Sequence, residues 1–134
     1  MSARSKARKR ALDLIYASEM RDRSAIEALE EHSEDAQVND YTGELVRGVV
    51  ENRERIDEVI AQYARDWTMD RMPAVDRNVL RLGIYEILYV DDVPDAVAVS
   101  EALNLVRELS TDDSPSFVNG VLGNVVRHKA QLTA

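Results

Sequence analysis

The sequence predicts an all-α fold, and three features of its pattern carry that expectation. Apolar residues recur at three- and four-residue spacing along most of the chain, and no run alternates in the manner of a half-buried strand. Residues 72–90 carry apolar side chains around so much of the circumference that they must be packed from more than one side. Helix-start signals stand where helices should begin, in Ser24-Ala-Ile-Glu27 and in Ser114-Pro115.

Residues 4–20 place Ala7, Ala11, Leu14 and Ile15 on one face, with Lys6, Arg10, Asp13 and Arg21 around it. Arg8 and Lys9 widen the positive surface, and Tyr16, two turns beyond Lys9, sets an aromatic ring near the basic cluster. In the pattern Ser24-Ala-Ile-Glu27 the serine caps the first turn and the glutamate reaches back, opening a short helix that buries Ile26 and Leu29. Residues 31–39 are polar and acidic and read as a loop. From Asp40 helical spacing runs through Tyr41, Leu45, Val49, Ile56, Val59, Ile60 and Tyr63, with Gly48 or Asn52 as the place for a kink. Trp67 closes this half as a large core anchor.

The stretch 72–90 is the central post. At 100° per residue, Val75, Val79, Leu80, Leu82, Gly83, Ile84, Ile87 and Leu88 fill roughly two thirds of its circumference. Pro73 suits the first turn, where its missing N–H costs nothing, and Asp76 lies near the positive end of the helix dipole. The remaining strip, Arg77, Asn78, Arg81, Tyr85 and Tyr89, reads either as a solvated face with snorkelling arginines or as a docking surface. Glu86 is the one acid inside the apolar arc, where it needs a buried partner or a contact with another protein.

Pro94 pushes the residue before it out of the helical region, so Asp91-Asp-Val-Pro94 is a break. Val99, Ala102, Leu103, Val106 and Leu109 then return to helical spacing. The last helix opens with Ser114 as cap and Pro115 as first helical residue, and Phe117, Val118, Val121, Leu122, Val125 and Val126 form a doubled stripe. Arg127, His128 and Lys129 suit its negative C-terminal end.

At 134 residues the chain is long enough for one real core, and with 45% hydrophobic and 31% charged residues it is an ordinary globular sequence. It has no cysteine, which excludes a disulfide framework and a thiol nucleophile and suits a reducing cytoplasm. No apolar run is long enough to span a bilayer, and the basic start lacks the apolar segment of a signal peptide, so no membrane partner is expected. The net charge of −8 argues against nucleic acid until its distribution is seen. Residues 1–10 hold Arg4, Lys6, Arg8, Lys9 and Arg10 and no acid, which leaves 12 of the 17 basic side chains against all 25 acidic ones. A basic arm on an acidic body makes a local footprint for a polyanion.

Catalysis finds little support. There is no nucleophile elbow, phosphate-binding glycine loop, zinc-binding His-Glu pair or dinucleotide fingerprint, and His32 and His128 read as exposed helix-end residues. Neither a metal site nor a cofactor is expected. Gly120-Val-Leu-Gly123 resembles the G-x-x-G loop of KH domains, but it lies within an uninterrupted apolar stripe and reads better as a close approach between helices. The surviving constellation is the arm together with Ser110-Thr-Asp-Asp-Ser-Pro-Ser-Phe117, whose hydroxyls, carboxylates and helix N-terminal amides can meet base edges and phosphate or sugar oxygens. Periodicity leaves Phe117 either in the core or as a stacking platform, with the core favoured.

Over nearly its full length the chain resembles the bacterial NusB transcription antitermination factors, with an actinobacterial cast. The resemblance rests on Arg4-Ser-Lys-Ala-Arg-Lys-Arg10 leading into Ala11-Leu-Asp-Leu-Ile-Tyr16, then Val75-Asp-Arg-Asn-Val-Leu-Arg-Leu82 with Tyr85-Glu86. It continues through Asp92-Val-Pro94, Ser100-Glu-Ala102 and Phe117-Val-Asn-Gly-Val-Leu122. Each string alone is weak, and their order and spacing make them specific.

The resemblance implies two packed helical bundles, about 4–66 and about 67–132, forming one compact NusB-like RNA-binding domain over 1–134. It implies a cytoplasmic, non-enzymatic factor that binds the single-stranded boxA element of ribosomal RNA leader transcripts together with NusE, the ribosomal small-subunit protein. The pair would join NusA, NusG and RNA polymerase to support processive rRNA transcription. Carried over by position, the RNA-binding residues are Arg4, Ser5, Lys6, Arg8, Tyr16, Tyr63, Asp113, Ser116 and Phe117, with Arg10 an added charge. Ser5 and Ser116 stand where some relatives carry a base. Asp76 matches an acidic position facing NusE, and Tyr85 and Glu86 are its neighbours in that role. Homodimerisation could use either the Tyr85–Tyr89 strip or the Phe117 surface.

Five phosphates neutralised by the arm would give a single-strand slope of log K against log salt of roughly −3.5. Two rivals stand beside this reading. NusB-like domains also precede RNA cytosine methyltransferases, but over these 134 residues no cofactor-binding fold is expected. The other rival is a helical protein–protein adaptor that makes no direct RNA contact.

Overall fold

The computed structural model describes residues 2–31, 40–65 and 67–134. Among these it is all-α, with eight helices that separate into two units, Met1–Asn52 and Arg53–Ala134. The expected polar connection at 31–39 lies outside the described residues except for Glu31, which ends a helix, and His32 lies outside them too.

The first unit holds α1 (Ala3–Met20), α2 (Ala25–Glu31) and α3 (Asp40–Glu51). Ser2 caps α1 by accepting from the Ser5 amide at 3.0 Å, so the basic arm is the first two turns of a helix. Ala7, Ala11, Leu12, Leu14 and Ile15 are buried, and α1 packs on α3, where Tyr41, Leu45, Val46 and Val49 are buried. Small Ala7 and Ala11 leave room for Thr42, whose hydroxyl donates to the Ala7 carbonyl at 3.2 Å. Ser24 accepts from the Glu27 amide at 3.3 Å, as the cap motif predicts; Leu29 is buried and Ile26 half-buried.

The second unit holds α4 (Arg53–Tyr63), α5 (Ala74–Tyr89), α6 (Asp95–Leu109), α7 (Ser114–Arg127) and α8 (Lys129–Leu132). The predicted long helix from Asp40 to Tyr63 is interrupted at Asn52, whose side-chain amide donates to the Gly48 carbonyl at 2.8 Å. That break also divides the units, earlier than the residue-66 boundary expected from the resemblance, because Ile56, Val59 and Ile60 commit α4 to α5 and α7. Helix α5 is the central post: it contacts α4, α6, α7 and α8. Pro73 stands at its N-cap rather than inside it. Gly83 permits the close approach of α7 and α6, since a Cβ there would lie 3.1 Å from Leu122 Cδ1 and 3.7 Å from Ala102 Cβ.

The polar strip of α5 is neither solvated nor an open docking face. Asn78, Arg81 and Tyr85 are buried, Arg77 is half-buried and donates to the Met69 carbonyl at 2.9 Å, and Tyr89 alone is exposed. The reason is electrostatic. Arg81 reaches Asp57 of α4 with two bonds of 2.9 and 3.2 Å and donates to Asn78 Oδ1 at 2.9 Å, so its charge is compensated inside the unit. Asp57→Ala leaves that guanidinium buried without its carboxylate, and stability is expected to fall by about 3 kcal/mol in urea denaturation. An unchanged midpoint would contradict the ion pair's role.

Candidate nucleic-acid interface

The first turn of α7 lines a concavity in the second unit. Tyr63, at the end of α4, lies on its wall with Asp113, Ser116 and Phe117, around a space of about 630 Å³. Four residues chosen from sequence therefore meet at one place. Arg65, Trp67, Gly120 and Asn124 also line it. Phe117 is half-buried, so of the two alternatives for this ring the exposed platform describes it better than the core. Trp67 is likewise half-buried, not the expected core anchor: its ring packs on Phe117 at 4.8 Å with a 53° tilt. Three aromatic rings, Tyr63, Trp67 and Phe117, with a carboxylate, hydroxyl, amide and guanidinium around them suit a planar heterocycle with polar edges.

His128 is not simply an exposed helix end. Its ring stacks on Tyr63 at 5.4 Å and 22°, with Nδ1 2.8 Å from the Asn124 carbonyl oxygen, so it touches two residues that line the concavity. Nor do Gly120 and Gly123 mark a close approach between helices, because a Cβ on either meets no described atom within 4 Å. Gly120 lines the concavity instead, where a Cβ would meet open space. Both glycines lie within continuous α7, as expected, and not in a KH-type loop.

The cap of α7 also differs from expectation. Asp113 is the N-cap, without a side-chain cap bond, and Ser114 is the first helical residue. The Ser114 hydroxyl turns back, accepting from the Thr111 amide at 3.2 Å and lying 3.0 Å from Ser110 Oγ. This leaves Asp113 exposed at the rim.

In the first unit, Arg4 and Lys6 are exposed, while Ser5, Lys9 and Arg10 are half-buried. Arg8 is different. It is only 4% exposed, its guanidinium 5.7 Å from the Tyr41 ring centroid, with that of Arg4 at 4.3 Å. The aromatic ring beside the basic cluster is thus Tyr41, whereas Tyr16 is exposed on α1. Sequence periodicity alone assigns Tyr41 only to the core.

The expected NusE contacts are largely enclosed. Asp76 is 0%, Glu86 2% and Tyr85 9% exposed, the first bonded to Ser110 and the last stacked on Tyr89 at 5.5 Å. Tyr89 is the member of the strip that faces outward, 41% exposed. Among the described residues no helix is long and apolar enough to cross a membrane.

Comparison with known proteins agrees with this architecture. A model of the NusB family matches residues 5–127. The transcription antitermination protein NusB of Nocardioides sp. strain JS614 is 62% identical over 134 residues, covering 98% of this chain and 99% of its own. That of Arthrobacter sp. strain FB24 is 53% identical over 136 residues, covering both chains fully, at 100% each. Among solved structures, T. maritima NusB superposes with a TM-score of 0.86 at 32% identity, over 97% of this chain and 94% of that one. A chain in a crystal structure of the antitermination factors NusB and NusE in complex with dsRNA gives 0.82 at 27% identity, over 95% and 98%. The family match and the near-complete coverage at this level of identity place the chain in the NusB family.

Proposed function

We propose that this chain is a cytoplasmic transcription antitermination factor that binds boxA RNA of ribosomal leader transcripts together with NusE. The observation that carries this reading is the convergence of Tyr63, Asp113, Ser116 and Phe117 on one concavity. Single-stranded RNA exposes base faces to aromatic rings and base edges to carboxylates, hydroxyls and amides. A duplex hides those faces, so this site favours a single strand. The basic turns of α1 supply the attraction to phosphate, with Arg4 and Lys6 exposed, Lys9 and Arg10 half-buried and Arg8 held on Tyr41. Both units act as one NusB-like RNA-binding domain over residues 1–134, and the role is non-catalytic. With RNA and NusE held, the complex joins NusA, NusG and RNA polymerase. NusE is received along the side of α5 that ends at Tyr89, with Tyr85 and Glu86 as buried support.

The test is a titration of labelled boxA RNA as single strand, as duplex and in scrambled sequence, with and without NusE. Preferential binding of the single strand, strengthened by NusE, is the expected result. Because the coupling is reciprocal, RNA must raise affinity for NusE by the same factor. Retained NusE binding with no RNA binding under any condition would favour the adaptor reading instead.

A further inference from the structure

Directly behind the rim of the concavity runs a chain of hydroxyls that ends on a buried carboxylate. Asp76, in the first turn of α5, is 0% exposed, and its Oδ1 accepts from Ser110 Oγ at 2.6 Å. Ser110 is the C-cap of α6, and its Oγ accepts from Ser114 Oγ at 3.0 Å. Ser114, also 0% exposed, accepts from the Thr111 amide at 3.2 Å and lies 2.8 Å from Thr111 Oγ1.

Proton counting orders this relay. Each hydroxyl has one proton to give, and a carboxylate oxygen can only accept. Ser110 gives its proton to Asp76 and so must receive that of Ser114. Ser114 has then no proton left, and Thr111 Oγ1 must be the donor in their contact. One carboxylate therefore sets the direction of the hydroxyl–hydroxyl bonds in the connection from α6 to α7. Asp113 lies within that connection, and Ser116 and Phe117 follow within one helical turn.

Stability is a poor explanation for the carboxylate. Its second oxygen, Oδ2, is buried with no hydrogen-bond partner among the described residues. An unsatisfied buried acceptor is a cost that an apolar side chain would avoid. What the carboxylate supplies is position: it ties the start of α5 to the end of α6 and the start of α7.

We propose that Asp76 is a positioning residue for RNA recognition, acting through Ser110 and Ser114 to hold Asp113, Ser116 and Phe117 in the register that meets the bases. This rests on the RNA-binding reading of the concavity. It gives Asp76 a role on the RNA side, distinct from a contact with NusE.

The experiment uses the full chain and Ser110→Ala, with Ser110→Thr as the variant that keeps the hydroxyl. Three readouts are taken: affinity for boxA and for scrambled RNA, the salt slope of each, and the emission of Trp67, the single tryptophan, which packs on Phe117. In Ser110→Ala, boxA affinity is expected to fall about 10-fold, with scrambled RNA and the salt slope unchanged and Trp67 emission shifted. Ser110→Thr is expected to stay within about twofold of the parent. If Ser110→Ala proves unfolded by circular dichroism, the double variant Asp76→Ala/Ser110→Ala, which removes the buried charge with its partner, takes its place with the same expectations.

A folded variant with parental boxA preference and parental Trp67 emission overturns the positioning role and leaves the RNA-binding reading intact. Loss of NusE binding with boxA preference retained in Asp76→Ala/Ser110→Ala overturns it too. A parent chain with no preference for boxA overturns the reading of the concavity and this proposal together.

Discussion

Phe117→Ala is expected to lower affinity for boxA RNA between about 5- and 150-fold, the range that corresponds to one lost base stack of about 1–3 kcal/mol. The helix should survive the change. Phe117 is half-buried, while Val118, Val121, Leu122 and Val125 carry the burial of α7. The loss should be specific, because a stack selects how a base is presented and contributes nothing to long-range phosphate attraction. Accordingly the salt slope of the variant should match that of the parent. Phe117→Tyr keeps the ring and should bind nearly as the parent does. Titrations at one fixed salt concentration, with helicity checked by circular dichroism, decide the matter. Parental affinity in a folded Phe117→Ala would remove the ring from the RNA site.

The second large effect is in the salt dependence. With Arg8 enclosed on Tyr41, four basic residues of the arm keep accessible surface, Arg4 and Lys6 exposed and Lys9 and Arg10 half-buried. Four neutralised phosphates give a single-strand slope of roughly −2.8, shallower than the roughly −3.5 expected from five. Affinity of the parent should then fall about 50-fold between roughly 50 and 200 mM salt. Replacing Arg4, Lys6 and Arg10 by alanine leaves one charge and a slope of roughly −0.7, a fall of only about 2.5-fold over the same interval. NusE binding should be retained in this variant. An unaltered slope would show that the arm is solvated and makes no phosphate contact.

Much of this was legible because periodicity reports burial well. The doubled stripe of α7, the small-residue face of α1 and the wide apolar arc of α5 each name the packed side of a helix without knowledge of its neighbours. Polar residues are harder, since their fate depends on partners remote in sequence. Arg81 reads as a surface arginine until Asp57, 24 residues earlier, is seen to neutralise it. Asp76 looks like a helix-dipole residue, and its bond to Ser110 spans 34 residues. Ser114 has the sequence of a cap, yet its hydroxyl serves the connection behind it rather than the helix ahead.

The concavity was half readable. Tyr63, Asp113, Ser116 and Phe117 came from family resemblance, and no spacing rule joins the end of α4 to the start of α7. Arg65 and Trp67 could have been found as a basic–aromatic pair two and four residues beyond Tyr63. Gly120 and Asn124 lie three and seven residues beyond Phe117, one and two helical turns along the same face. The glycines of α7 misled because small residues signal close packing and open space alike.

Two segments carry the proposed contact with boxA RNA, the basic turns of α1 in the first unit and the concavity of α7 in the second. The most direct measurement is crosslinking of one short boxA oligonucleotide carrying photoreactive bases, followed by mapping of the attached peptides. Adducts are expected in peptides from the start of α1 and in the peptide holding Asp113–Phe117. Adducts confined to one of these segments, or falling outside both, would contradict the proposed contact.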